Sequence, residues 1–219
     1  MKLYSYWRSQ ASYRVRVALR LKGLAAELVT LDLLKGDQFA ADYRAVNAEA
    51  VVPTLIDGEG APLVQSLAII EYLDEKYPEP PLLPKDLRAR AHARALAQML
   101  AADAHPFVVP RVRKYLEETL GLDEPARAAW LQHWMGLGAR AVEHTLARDP
   151  RTGRFCVGDE VSVADICLVA HFNTMAMFGG EPPSAFPTAA RIFERCTQID
   201  AFAREHPLRQ PDAPAGSRA

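Results

Sequence analysis

Four prolines fall within Pro78-Glu-Pro-Pro-Leu-Leu-Pro84, and no regular element survives that density of missing donors and extended-biased neighbours. The stretch therefore divides the chain, and the residue patterns on its two sides differ. Before it, short β-rich runs alternate with short helical ones. Beyond it, the apolar spacing is helical almost throughout. We expect a first domain over 1–80, a linker over 81–86 and a second, helical domain over 87–219.

In the first part, Lys2 to Trp7 reads as a strand and Ser12 to Lys22 as a helix with Val15, Ala18 and Leu19 on one face, stopped at Gly23. Glu27 to Leu33 is β-rich, Asp37 to Val46 is predicted helical, and Val51 to Ile56 is a strand interrupted by Pro53. Ala61 to Gln65 is a further strand, followed by a helix from Ser66 to Tyr77. The order β-α-β-α-β-β-α is that of a thioredoxin-like domain, so the predicted fold class is an α/β thioredoxin-like N-terminal domain with an all-α C-terminal domain. Helices are expected in the second part over 88–120, 124–148, 163–177 and 187–204. Ser162 and Asp165 stand three apart before the apolar run Ile166-Cys-Leu-Val-Ala170, a capping box opening a buried helix. Pro211 to Ala219 is expected to fray.

With 26 basic and 27 acidic residues among 219, net charge −1, the chain has no field to attract a polyanion, which argues against nucleic acid or an anionic membrane as partner. Cys156, Cys167 and Cys196 lack C-x-x-C spacing and read as reduced thiols. Met1-Lys2-Leu3-Tyr4 shows no export pattern and no apolar run reaches a membrane span, so a cytoplasmic location is expected. Phosphate-loop, dinucleotide, serine-hydrolase and zinc-protease motifs are missing, and the six histidines show no ligand spacing, so no metal is expected.

Three places remain that this fold brings to the carboxyl ends of its strands: the Arg8-Ser9 turn, Val52-Pro53 and Gln65-Ser66. A cis proline at 53, characteristic of the fold, leaves the Val52 backbone free to pair with an extended peptide-like ligand. Ser66, with Gln65 beside it, offers a hydroxyl, N–H groups and a dipole end to a carboxylate. Ser9 offers another hydroxyl at a helix start. These suit a small peptide with terminal carboxylates and a thiol to be held as thiolate, a description that fits glutathione.

The chain resembles the glutathione transferases, zeta class, which contains the maleylacetoacetate and maleylpyruvate isomerases. The resemblance rests on Leu3-Tyr-Ser-Tyr-Trp-Arg-Ser9, Arg14-Val-Arg-Val-Ala-Leu19, Val52-Pro-Thr-Leu55, Gln65 to Leu73, Gly158 to Asp165 and His206-Pro-Leu-Arg-Gln-Pro-Asp212. It implies that Ser9 stabilises the glutathione sulfur, with Ser12 as a cap or reserve donor in the same turn. It also implies a glutathione site made of Ser9, Gln10, Gln38, Val52, Pro53, Gln65 and Ser66. Free thiols titrate near about 8.5, so stabilisation of the thiolate matters at neutral pH. The implied chemistry is thiolate addition to a cis double bond conjugated to carbonyls, rotation, and elimination to the trans isomer, with cations holding the carboxylates. A homodimer and a place in aromatic amino acid catabolism are implied as well.

Departures cluster around the substrate. The family's turn commonly reads Ser-Ser-Cys-Ser, against Ser9-Gln10-Ala11-Ser12 here. Met177 stands where an arginine grips the substrate, and Val109 where an asparagine lines the cleft. Arg8 and His105 are retained as substrate-side groups, and Arg111 replaces the missing grip if it turns inward; a solvated Arg111 is the simpler alternative. Trp7, Phe107, Met175, Met177 and Phe178 supply an apolar lining or, alternatively, core. Arg14 and Arg16 are expected to pair with carboxylates such as Glu71 or with the chain's end. Two functions stand: a glutathione-dependent isomerase, or transferase on a small electrophile, and a non-catalytic binding or stress-associated protein that kept the fold.

Overall fold

The computed structural model describes residues 1–215. They pack as two units, one of residues 1–81 together with the chain from Asp200 onward, the other Leu82–Ile199. The expected second domain ran to 219, and packing draws the end of the chain into the first unit for an electrostatic reason given below.

In the first unit, β1 (Lys2–Ser5), α1 (Gln10–Leu21), β2 (Glu27–Thr30), α2 (Ala41–Val46), β3 (Thr54–Ile56), β4 (Leu63–Val64) and α3 (Ser66–Lys76) follow the predicted order. The four-stranded sheet has the order β2-β1-β3-β4, with β1 parallel to β2 and antiparallel to β3, and β3 antiparallel to β4. The strands are shorter than expected: Asp32 and Asp37 draw the chain into a turn after Thr30, and β3 begins only after Pro53. Leu3, Val15, Val17, Leu19, Leu55, Ile69, Ile70 and Leu73 form the interior between sheet and helices.

The segment from Glu205 to Ala213 is pinned, not frayed. Buried Arg16 pairs with Glu205 at 3.2 Å, Arg20 reaches the same carboxylate at 2.6 Å, and the Asp212 carboxylate accepts the Trp7 N–H at 2.8 Å. Asp200–Arg204 forms a short helix, α9, separated from α8 (Pro187–Thr197), so the single helix expected over 187–204 is two. The predicted tail over 211–219 is thus corrected through Ala213, which is buried; residues 216–219 lie outside the described residues.

The second unit contains α4 (Leu87–Gln98), α5 (Pro110–Glu118), α6 (Glu124–Leu146), α7 (Val163–Met177) and α8. The helix expected over 88–120 is broken: α4 runs into a π-helical turn over Met99–Ala104 and a 3₁₀ turn over His105–Val108 before Pro110 starts α5. Two prolines four residues apart, Pro106 and Pro110, remove two backbone donors and do more than bend the helix. Helix α7 is buried nearly all round. Its start is held by Asp165, whose carboxylate accepts the Ser162 N–H, the Ser162 hydroxyl and the Cys156 N–H, each at 2.8 Å. Asp165→Ala strands these buried donors, and urea denaturation should show a loss of about 2 kcal/mol with an unchanged slope. A loss within experimental error would mean that water reaches this helix start. Among the described residues, no helix is long and apolar enough to cross a membrane.

Candidate active site

The sheet's register gathers three segments at one end. Tyr4 pairs with Thr54 and Thr54 with Val64, so these residues form one row. Beyond it lie the turn to Ser9, the approach through Val52-Pro53, and Gln65-Ser66. Because β3 runs against β1 and β4, this end is the carboxyl end of β1 and β4 and the amino end of β3. That corrects the expectation of carboxyl ends alone.

The turn after β1 is fixed from inside. Ser9 donates its N–H to the Tyr6 carbonyl at 3.0 Å, while Arg16 reaches the Tyr6 and Trp7 carbonyls and the Ser5 hydroxyl. Tyr6 packs with Tyr43 and Val52, with Trp7 and Leu33 against them. Ser9, in extended backbone conformation, caps α1, and its Oγ accepts the Ser12 N–H at 3.1 Å. An oxygen used as an acceptor keeps its own proton for a further partner. No acidic residue sits in the first turn of α1 to offset the positive dipole end. Ser12 is 0 % exposed, and its hydroxyl lies inside without a protein partner among the described residues, as does the Gln10 Nε2. Arg8 is half-buried, its guanidinium 5.6 Å from the Trp7 ring centre.

Val52 and Pro53 are joined by a cis peptide bond. The loop before them is braced by Asn47, whose Nδ2 donates to the Val51 carbonyl at 2.9 Å and the Thr54 hydroxyl at 3.1 Å, and by the Tyr43 hydroxyl, which meets the same two groups. Among the described residues no protein group pairs with the Val52 N–H or C=O. Sequence reasoning missed this bracing. The one signal for it is an Asn and a Thr flanking the proline at short range.

Gln65 has φ 67 and ψ 112, a left-handed backbone angle that costs a non-glycine residue about 1–3 kcal/mol and concentrates at ligand sites. It turns the chain so that Ser66 opens α3 with no acid in the first turn. The Gln65 Nε2 donates to Glu49 at 3.0 Å. Gln38, in a 3₁₀ turn over Asp37–Phe39, is buried; its Nε2 donates to the Leu33 carbonyl, and its Oε1 is buried without a protein partner.

In the second unit, His105 is half-buried at the head of the 3₁₀ turn and Val109 is half-buried at the cap of α5. Arg111 is exposed. Arg113, half-buried, lies with its guanidinium 4.8 Å from the Phe178 ring centre. Val109 and Arg113 are four apart and share a helix face, which Arg111 does not. Met177 is half-buried at the end of α7, Met175 is core, and Phe107 stacks on Trp134 at 4.0 Å.

Two family profiles match this chain: "Glutathione S-transferase, N-terminal domain" over residues 3–81 and "Glutathione S-transferase, C-terminal domain" over 139–200. Maleylpyruvate isomerase of Ralstonia sp. is 40% identical over 213 residues, covering 97% of this chain and 100% of the relative. The crystal structure of maleylacetoacetate isomerase from Methylobacterium extorquens AM1, with malonate and GSH bound, superposes with a TM-score of 0.96 at 49% identity, over 98% of this chain and 100% of that one. A holo structure of a maleylpyruvate isomerase, described as a bacterial glutathione S-transferase in the zeta class, gives a TM-score of 0.94 at 40% identity with the same coverage.

Proposed function

We infer the chemistry from one premise: this chain belongs to the zeta class of the glutathione S-transferase family. On that premise it is a glutathione-dependent cis-trans isomerase of unsaturated dicarboxylates of the maleylacetoacetate or maleylpyruvate kind. The observation that carries the reading is Ser9, an N-cap whose oxygen accepts Ser12 N–H and whose proton is left to give.

The chain's own groups fit glutathione. Unpaired backbone at Val52 suits the cysteinyl unit, the N-terminus of α3 at Ser66 with Gln65 suits the γ-glutamyl carboxylate, and the orphaned Gln38 oxygen suits a donor near the glycyl end. Pro53 shapes the edge on which Val52 sits, and Gln10 backs the turn from inside. Glutathione, when bound, supplies a sulfur nucleophile for reversible addition to a conjugated cis double bond. Ser9 donates toward that sulfur, and the uncompensated N-terminus of α1 adds to the stabilisation of negative charge. With its hydroxyl inside, Ser12 contributes its N–H to Ser9, which favours Ser9 as the partner of sulfur. Arg8, His105 and Arg113 are the groups we assign to the substrate carboxylates, with Val109 and Met177 as apolar lining; exposed Arg111 is the weaker candidate. The Methylobacterium relative, solved with bound malonate and GSH, supports a dicarboxylate.

Half-buried Met177, where the class has an arginine, favours a second reading, conjugation of a less polar electrophile. The relatives carry enzyme names, and no observation favours a non-catalytic role. We assign a cytoplasmic homodimer acting in aromatic amino acid catabolism; sedimentation tests the dimer. Calorimetric titration with glutathione, followed by isomerisation assays on maleylacetoacetate and maleylpyruvate beside conjugation of a generic electrophile, tests the function. Ser66→Ala should weaken glutathione binding about tenfold through the lost carboxylate contact, and no detectable heat for the wild type at millimolar glutathione would sink the reading.

A further inference from the structure

The segment from His105 to Val109 carries two of the groups assigned to the substrate side, and it lies between a π-helical turn and Pro110, outside any α-helix. Such backbone does not hold itself. Pro110 stands three residues after Phe107, where a 3₁₀ turn would draw on an N–H, and proline has none to give. The Phe107 carbonyl is met instead by the indole of Trp130, whose Nε1 donates to it at 2.8 Å from α6, 23 residues on.

One face of α6 seats the segment. Trp130, Trp134 and Gly138 are spaced four apart and so align along the helix. Trp134 stacks on the Phe107 ring, with centres 4.0 Å apart and planes 16° from parallel, and Trp130 stands 5.7 Å from Trp134. Gly138 lies so close to the preceding turn that a Cβ there would come within 2.7 Å of the Ala104 side chain. Packing at Trp134 and Gly138 sets how near the segment lies to α6. The Trp130 N–H sets its rotation, because a hydrogen bond is directional and this one holds the carbonyl midway between His105 and Val109.

We propose that Trp130 is a positioning residue for the dicarboxylate: its indole N–H holds the Phe107 carbonyl and thereby sets where His105 meets a substrate carboxylate. The proposal rests on the assignment of His105 to the substrate side. Trp130→Phe keeps a ring and removes the N–H. At saturating glutathione, calorimetric titration with malonate should show about tenfold weaker binding in this variant, and KM for maleylpyruvate should rise by a like factor while kcat and glutathione affinity change little. Trp134→Phe trims the neighbouring indole but leaves the bond to Phe107, and it should bind malonate as the wild type does. His105→Ala should weaken malonate as well, and adding Trp130→Phe to it should cost nothing further, since both changes remove one contact. Additive losses in the double variant, or equal weakening by Trp134→Phe, would reduce Trp130 to packing and overturn the proposal. So would wild-type affinity and KM in Trp130→Phe. A wild type that isomerises neither substrate and takes up no malonate would sink the function itself, and this proposal with it.

Discussion

Replacing Ser9 with alanine should lower kcat/KM for isomerisation by roughly 10²-fold, the scale found when one preorganised donor to developing charge is removed. Under the proposed assignment glutathione affinity should change far less, because Val52, Gln65 and Ser66 would hold the peptide and Ser9 would meet only its sulfur. The mechanism predicts a signature in pH. With the donor gone, the thiol titrates closer to its free value near about 8.5, so the rate at neutral pH falls most and is partly recovered as pH rises. Alanine also removes the cap of α1, worth about 1 kcal/mol, which a thermal melt measured in parallel will register. Ser9→Thr separates the two effects: it keeps a hydroxyl at the cap and should retain most of the activity. Unchanged rates in Ser9→Ala would shift the thiolate to backbone N–H groups at the start of α1, because the Ser12 hydroxyl is inside.

What could be read from the sequence divides by range of interaction. The start of α7 was legible because Ser162 and Asp165 satisfy each other within one turn, and the helix opens at Val163 as expected. The order of elements in the first unit was legible because strand and helix periods differ. Strand direction was not, since β3 meets β1 some fifty residues away and only pairing decides which end of it faces the site. The π-helical turn before His105 leaves no periodic trace. Arg111 was the natural candidate on charge alone; it is exposed, whereas Arg113, two residues on, lies against Phe178. Gln65 stood out in the sequence for its amide beside Ser66, and nothing local announced its left-handed backbone.

The pairing of α1 with the end of the chain is the case where sequence gave the demand and withheld the answer. An arginine inside an apolar helix must find a carboxylate, and nothing local names Glu205, nearly two hundred residues on. The side chains of Arg16 and Glu205 are only 4 % and 9 % exposed, so removing one partner leaves the other charged in a poor solvent. Burial already pushes the Arg16 pKa down, and Glu205, with Asp212, opposes that. Glu205→Gln should therefore cost about 3–5 kcal/mol, the range for breaking a buried pair. Arg20, 42 % exposed on its side of the carboxylate, adds little to that sum because solvent screens it. Urea denaturation measures the loss. The double variant Arg16→Met with Glu205→Leu should recover part of it, since neither charge is then stranded, but it also removes the guanidinium that holds the Tyr6 and Trp7 carbonyls. Stability and catalysis are therefore expected to part company: the double variant regains stability over Glu205→Gln while its activity stays low, because the turn carrying Ser9 has lost its brace. Activity returning along with stability would show that Tyr6 packing against Tyr43 and Val52 is enough to hold the turn.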